Sequence, residues 1–109
     1  MQQTLETTVG DSGFAWQFTL QDNDGNARDL TSATGTFRAQ FETGTVVVVE
    51  GAITLVTPAS GICKYTVQSG DFDTPGRYYG ELEILFSGGE VSTFEPIVII
   101  VRPQLPRNI

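Results

Sequence analysis

Three groups of residues in this chain are of types that could do chemistry. Glu81 and Glu83 are two residues apart in an alternating segment, so a strand would set their backbones about 7 Å apart on one face. That spacing suits a pair of carboxylates hydrolysing a glycosidic bond. Asp22-Asn23-Asp24-Gly25-Asn26, followed by Asp29, offers the several oxygens that a hard cation such as calcium wants. Cys63 is a single thiol. Each group also has a plainer reading, and the plainer reading is favoured. The two glutamates fall on the polar side of their strand, with no aromatic pocket implied around them. The acidic segment misses the EF-hand register, because placing Gly25 at the sixth position puts Leu20 at the first and Thr31 at the twelfth. A hairpin turn accounts for the same residues. Asp71 and Asp73, beside Gly70 and Gly76, read as turn-capping carboxylates in the same way. Cys63 lies inside the apolar run Gly61-Ile62-Cys63-Lys64-Tyr65, where a buried, inert thiol is expected.

The composition narrows the chemistry further. The chain has 109 residues, no histidine, and 13 Asp+Glu against 6 Lys+Arg, for a net charge of −7. Without imidazole it lacks the commonest general base and the commonest metal ligand. Serine and threonine are plentiful, but no evident base stands ready to activate one. Clustered Lys and Arg, which phosphate contacts require, are missing, so no nucleic-acid partner is expected. One cysteine leaves no intramolecular disulfide and no cysteine-based zinc site. No cofactor is implied. No basic segment precedes an apolar stretch near Met1, so the expectation is a soluble protein made in a cytoplasm without a secretory leader. The longest purely apolar run, Ile97 to Val101, is far short of the roughly 20 residues that span a bilayer, so no membrane insertion is expected. The composition predicts a non-enzymatic domain that binds or builds.

The elements that must position these residues are strands. Phe14, Trp16, Phe18 and Leu20 alternate with small or polar residues over 14–21, which sets four large side chains on one face. Further strands are expected near 5–9, 36–41, 46–49, 53–56, 62–67, 77–86 and 91–101. Turns are expected at 22–26, Thr43-Gly44, Glu50-Gly51, 58–61 and 87–90. No segment sustains a helical period, so any helix is at most a turn, at about 30–33. This pattern predicts an all-β chain folded as a β-sandwich or a barrel, and the expected form is an immunoglobulin-like antiparallel β-sandwich of about 7–8 strands. One domain over residues 1–102 is expected, followed at 103–109 by an extended, proline-containing C-terminal tail.

One local feature favours the sandwich, and a second favours contact as the work of the domain. Pro75-Gly76 turns the chain just before Tyr78 opens a long strand, the position where sandwiches place a corner tyrosine bonded back to upstream backbone. Tyr79 is the alternative, but Tyr78 shares the core-facing parity of Leu82 and Ile84. The runs 46–49 and 97–101 do not alternate, so both faces of those strands are apolar. Internal burial and a subunit or partner interface are the two explanations. The interface reading names Val46, Val48, Val98 and Ile100, with Pro103, Leu105 and Pro106 of the tail lying on a neighbour. Glu42, Glu50 and Glu95 bracket the runs as guards against uncontrolled edge pairing.

The ordered pieces Gly10-Asp11-Ser12-Gly13, Trp16-Gln17-Phe18-Thr19-Leu20, Asp22-x-Asp24-Gly25 and 29–34 resemble a phage family. The later pieces Gly70-Asp71, 74–78, Glu81-x-Glu83 and Thr93-Phe94 continue the resemblance. The string is similar to the N-terminal domain of the phage baseplate upper protein family, over roughly residues 3–102. That resemblance implies a β-sandwich that attaches other modules to a virion, and it brings no catalytic or metal residues. Family members continue into a helical linker and further modules, so this chain is expected to be a stand-alone copy of the domain. The functional expectation is a virion structural protein, a tail, baseplate or head–tail adapter, whose partners are other phage virion proteins and copies of itself. A capsid decoration protein is the alternative location. A carbohydrate-binding module, presenting Tyr79 or Phe72 to a sugar, is the alternative class.

Overall fold

The computed structural model describes residues 3–104, apart from the side chains of Glu95 and Pro96. Eight strands follow in order: β1 (Gln3–Thr8), β2 (Ala15–Thr19), β3 (Thr34–Phe41), β4 (Val47–Ala52), β5 (Thr54–Thr57), β6 (Ile62–Thr66), β7 (Gly76–Leu85) and β8 (Val91–Arg102). A single 3-10 turn, Pro58–Ser60, precedes β6. The strands form a five-stranded sheet, β1-β8-β7-β3-β4, and a three-stranded sheet, β2-β6-β5. The two sheets pack as a sandwich, and one continuous core of their inner side chains lies between them. The partition follows the immunoglobulin plan, with the second, fifth and sixth strands in one sheet and the third, seventh and eighth in the other.

Alternation explains the inner faces. Phe18 on β2 and Cys63 and Tyr65 on β6 point inward from the small sheet, and Phe37, Ala39, Tyr78, Leu82 and Ile84 point inward from the large one. Phe37 stacks on Tyr65 across the gap, with ring centroids 4.4 Å apart, and also on Phe18 of β2, at 6.4 Å. Trp16 is half-buried and turned to the core, against Phe37 and Phe72. The Tyr65 hydroxyl donates to the carboxylate of Asp71, which also accepts the Gln68 N–H at 2.8 Å. A phenol bonded to a charged acceptor contributes about 1.5–3 kcal/mol.

Three features depart from the alternation-based reading. Glu50-Gly51 is no turn: both residues lie in β4, opposite Arg38 and Phe37. The glycine is there for room, because a Cβ at Gly51 would stand 2.9 Å from the Tyr65 ring. The chain changes sheets one step later, at Ile53. Secondly, β1 runs parallel to β8, so the large sheet is mixed and not purely antiparallel. Thirdly, Val98 is no free interface residue, since it is only 2% exposed, in register between Thr4 of β1 and Tyr79 of β7. That part of β8 is an interior strand, paired to β1 on one side and β7 on the other.

Gly61 ties the loops at one end of the sandwich. Its φ of 74° is left-handed, its N–H closes onto Pro58 O at 3.0 Å, and its carbonyl accepts the Leu20 N–H at 2.8 Å. A Cβ there would meet Leu20 O at 2.6 Å and Arg28 O at 2.8 Å, backbone atoms that cannot rotate away. Gly61→Ala is expected to cost about 2 kcal/mol or more, read as a lower urea midpoint with an unchanged slope.

Burial also fixes an alkaline limit. It pushes the Cys63 thiol up to about 11. The Tyr65 phenol is raised by burial first and then by Asp71, and burial raises Tyr78. In the unfolded chain these groups lose protons from about pH 9–10, whereas the folded chain holds them longer. The unfolded state then binds fewer protons, so stability is complete below about pH 9 and falls as pH rises beyond it. Urea midpoints measured from neutral to alkaline pH check this, and Tyr65→Phe is expected to flatten the alkaline decline while lowering the neutral midpoint.

Candidate functional site

The large sheet presents its outer face as rows set by strand register. One row crosses all five strands: Val47 of β4, Gln40 of β3, Tyr79 of β7, Val98 of β8 and Thr4 of β1. The next row holds Glu50, Arg38 and Glu81, and the one beyond it Ala52, Thr36 and Glu83. A shallow groove opens on this face between Val47 and Tyr79, floored by Ala39 and Gly80 and rimmed by Arg38, Gln40 and Glu81.

β4 borders the groove and is an edge strand, hydrogen-bonded to β3 alone. Val46, just before it, is 70% exposed, and Val47 and Val48 are each 45% exposed. A register shift at Ala39/Gln40 bulges the ladder here, which is why three successive valines reach solvent and do not alternate. Tyr79, the one exposed aromatic among the described residues, stands on the same face at 40%.

The two glutamates singled out for acid–base work belong to a charge cluster. Arg38 Nε lies 2.6 Å from Glu50, and its Nη1 lies 3.3 Å from Glu83 and 3.7 Å from Glu81. The bond to Glu50 is the main cause that raises the Arg38 pKa above its ordinary value. Beside this cluster, Arg77 Nε pairs with Glu42 at 2.8 Å. Ion-paired, half-exposed carboxylates of this kind add little adhesion and keep the outer face of the sheet polar. They form no enclosed acid–base pair.

The remaining sequence candidates fall elsewhere. Asp22 Oδ1 accepts the N–H groups of Asp24 and Asn26 at 2.9 and 3.0 Å, a turn that spends the oxygen on its own backbone. Among the described residues no group of three or more His, Cys, Asp or Glu is placed to hold a metal. Tyr78 is buried, and its hydroxyl donates to Thr74 O at 2.6 Å, across Pro75 and Gly76, whose φ is 142°. Ile100 is half-buried, in register between Glu6 and Arg77, and so contributes little free surface. Pro103 is exposed beyond the end of β8. Leu105 and Pro106 lie outside the described residues. Of the proposed contact residues, then, Val46 and Val48 come together on the β4 edge, and Val98 and Ile100 lie three strands further in. The sequence reading missed Val47, Arg38 and Gln40 as parts of this face. Val47 was visible within the valine run, whereas the other two needed the register of β3.

No family model and no curated protein matches the chain. Among solved structures it is similar to CopC from Methylosinus trichosporium OB3b, with a TM-score of 0.59 and 13% identity, over 97% of this chain and 90% of that one. At that identity the likeness is one of fold: the sandwich is shared almost end to end, while the side chains on it differ.

Proposed function

We propose that this domain is a non-enzymatic structural protein of a bacteriophage virion, a tail, baseplate or head–tail adapter that assembles through its sandwich surfaces. The observation that carries the reading is the run Val46–Val48, exposed on the open edge of β4. A solvent-facing apolar edge strand is a liability in a free monomer and an asset in an assembly that covers it. The resemblance of the ordered motifs to the phage baseplate upper protein family supplies the virion context, and the other virion proteins are its partners. The charge supports a contact role as well: four carboxylates surround two arginines on the outer face. A sugar-binding reading has less behind it, since Trp16 is turned to the core and Gln40 donates to Gly44 O beside Tyr79.

Mass spectrometry and cryo-electron microscopy of purified particles of the encoding phage test the proposal. The chain is expected in mature virions at a fixed copy number. Density at the tail or connector supports the adapter role, and density on the capsid face assigns decoration instead. Its absence from mature particles overturns the virion reading. Val47→Lys combined with Val48→Lys is expected to reduce incorporation about tenfold, the equivalent of about 1.4 kcal/mol of lost contact.

A further inference from the structure

The edge of β4 does more than expose apolar surface. The Ile53 N–H bonds to Gly35 O at 3.1 Å, which sets the phase of the β3–β4 ladder. By antiparallel alternation, Gly51 and Val49 bond to β3, and the backbone N–H and C=O of Glu50 and Ala52 face away from it. The backbone groups of Glu50 and Ala52, without a partner among the described residues, therefore lie along the edge that Val46–Val48 begins, ready to pair with an added strand.

The charges on this face say what kind of strand. Arg38 and Arg77 are the cations, and Glu42, Glu50, Glu81 and Glu83 are the carboxylates, all within ion-pair distance of one arginine or the other. Arg38 alone serves three of them, so the cluster beside the groove keeps an excess of negative charge. Glu50 is the member on the open strand itself, 57% exposed at its side chain. A second copy of the chain would bring the same acidic rim and another net charge of −7 to the contact. A basic strand would instead complete the cluster.

Resting on the assembly reading above, we propose that the open edge of β4 takes up an extended segment of a partner protein by strand addition. The segment carries Lys or Arg where it faces Glu50, and an apolar residue two positions away where it faces Val47. Main-chain hydrogen bonds to the β4 edge supply the pairing, the valines supply the apolar contact, and the acidic rim selects the charge of the partner and its orientation.

The test titrates the full chain with three synthetic peptides, followed by calorimetry and by backbone NMR shifts. The first is a Val-Thr-Lys-Thr-Val-Thr-Arg strand, the second its Glu-for-Lys/Arg counterpart, and the third the basic peptide with a central proline. The basic strand is expected to bind at least tenfold more tightly than the other two, with shifts confined to residues 46–52 and their β3 neighbours. Raising the salt from about 50 to about 200 mM is expected to weaken it several-fold, because the rim is exposed and screened. Glu50→Lys is expected to reverse the preference between the basic and acidic peptides. Should that variant fail to fold, Glu83→Gln is expected to reduce the preference by at least half. Equal binding of the charged peptides, or shifts away from β4, overturns the proposal. So does sedimentation showing a dimer of the free chain that Val47→Lys dissociates, which would give the edge to a second copy. The virion reading fails separately: particles that contain the chain with a bare β4 edge overturn only the strand-addition proposal, and specific peptide binding by a chain absent from particles overturns only the virion role.

Discussion

The contact on which the rest of this structure depends is the stack of Phe37 on Tyr65. It joins β3 of the large sheet to β6 of the small one, at 4.4 Å between ring centroids. Antibody domains of this architecture use a disulfide between sheets for that purpose. Here the one cysteine, Cys63, is buried on β6 without a partner. The position two residues beyond the corner tyrosine, where those domains carry their second cysteine, is Gly80. A Cβ at Gly80 would lie 3.5 Å from the Phe37 ring and 3.1 Å from Ile99 Cδ1. Aromatic area and ring geometry thus replace a covalent link. Two glycines, Gly51 and Gly80, give the two rings their room, and Asp71 fixes the phenol of Tyr65 from the far side.

Pinning Phe37 also decides what the outer face presents. Successive residues of a strand point to opposite faces, so locking Phe37 and Ala39 inward leaves Arg38 and Gln40 outward. Arg38 then meets Glu50 on one side and Glu81 and Glu83 on the other, because β4 and β7 are registered to the same strand. The Gly51 backbone must pass close to Tyr65, which holds β4 in register up to the bulge. Past the bulge the constraint ends, and the valines spill into solvent. The exposed edge is thus a consequence of the core, set two residues away from it.

Much of this was legible in the sequence, and the limits have physical causes. Alternation over 14–21 and 77–86 identified β2 and β7, and their inner faces, because the period of a strand is a local property. The turn into Tyr78 was legible for the same reason: proline, glycine and tyrosine sit within four residues of one another. Glu50-Gly51 misled because glycine marks turns and close approaches alike, and only Tyr65, fourteen residues on, distinguishes the two. The parallel pairing of β1 with β8 left no local mark, since it joins the two ends of the described chain. Val98 and Val47 carry the same residue type in similar runs. Strand neighbours on both sides bury the first, and an edge position exposes the second. The Arg38 cluster was invisible for a related reason: its carboxylates lie 12, 43 and 45 residues away, brought together by register alone.

The edge itself shows how one strand is kept from pairing with itself while remaining open to others. An edge rich in β-branched residues and free of proline pairs readily with any neighbour. Two features restrain β4. Its bulge at Ala39/Gln40 breaks the flat ladder that stacking copies would need. Glu50 places a carboxylate at the open rim, and Arg38 cannot fully neutralise it while also serving Glu81 and Glu83. Like charges facing each other across a newly formed pair are destabilising, and the net charge of −7 adds a longer-range repulsion between copies. Removing Arg38 would strengthen that repulsion, and removing Glu50 would weaken it, so the balance between them sets how selective the edge is. The valines provide adhesion without discrimination. The charge cluster, held in place by the register that the Phe37–Tyr65 stack enforces, provides discrimination with little adhesion of its own.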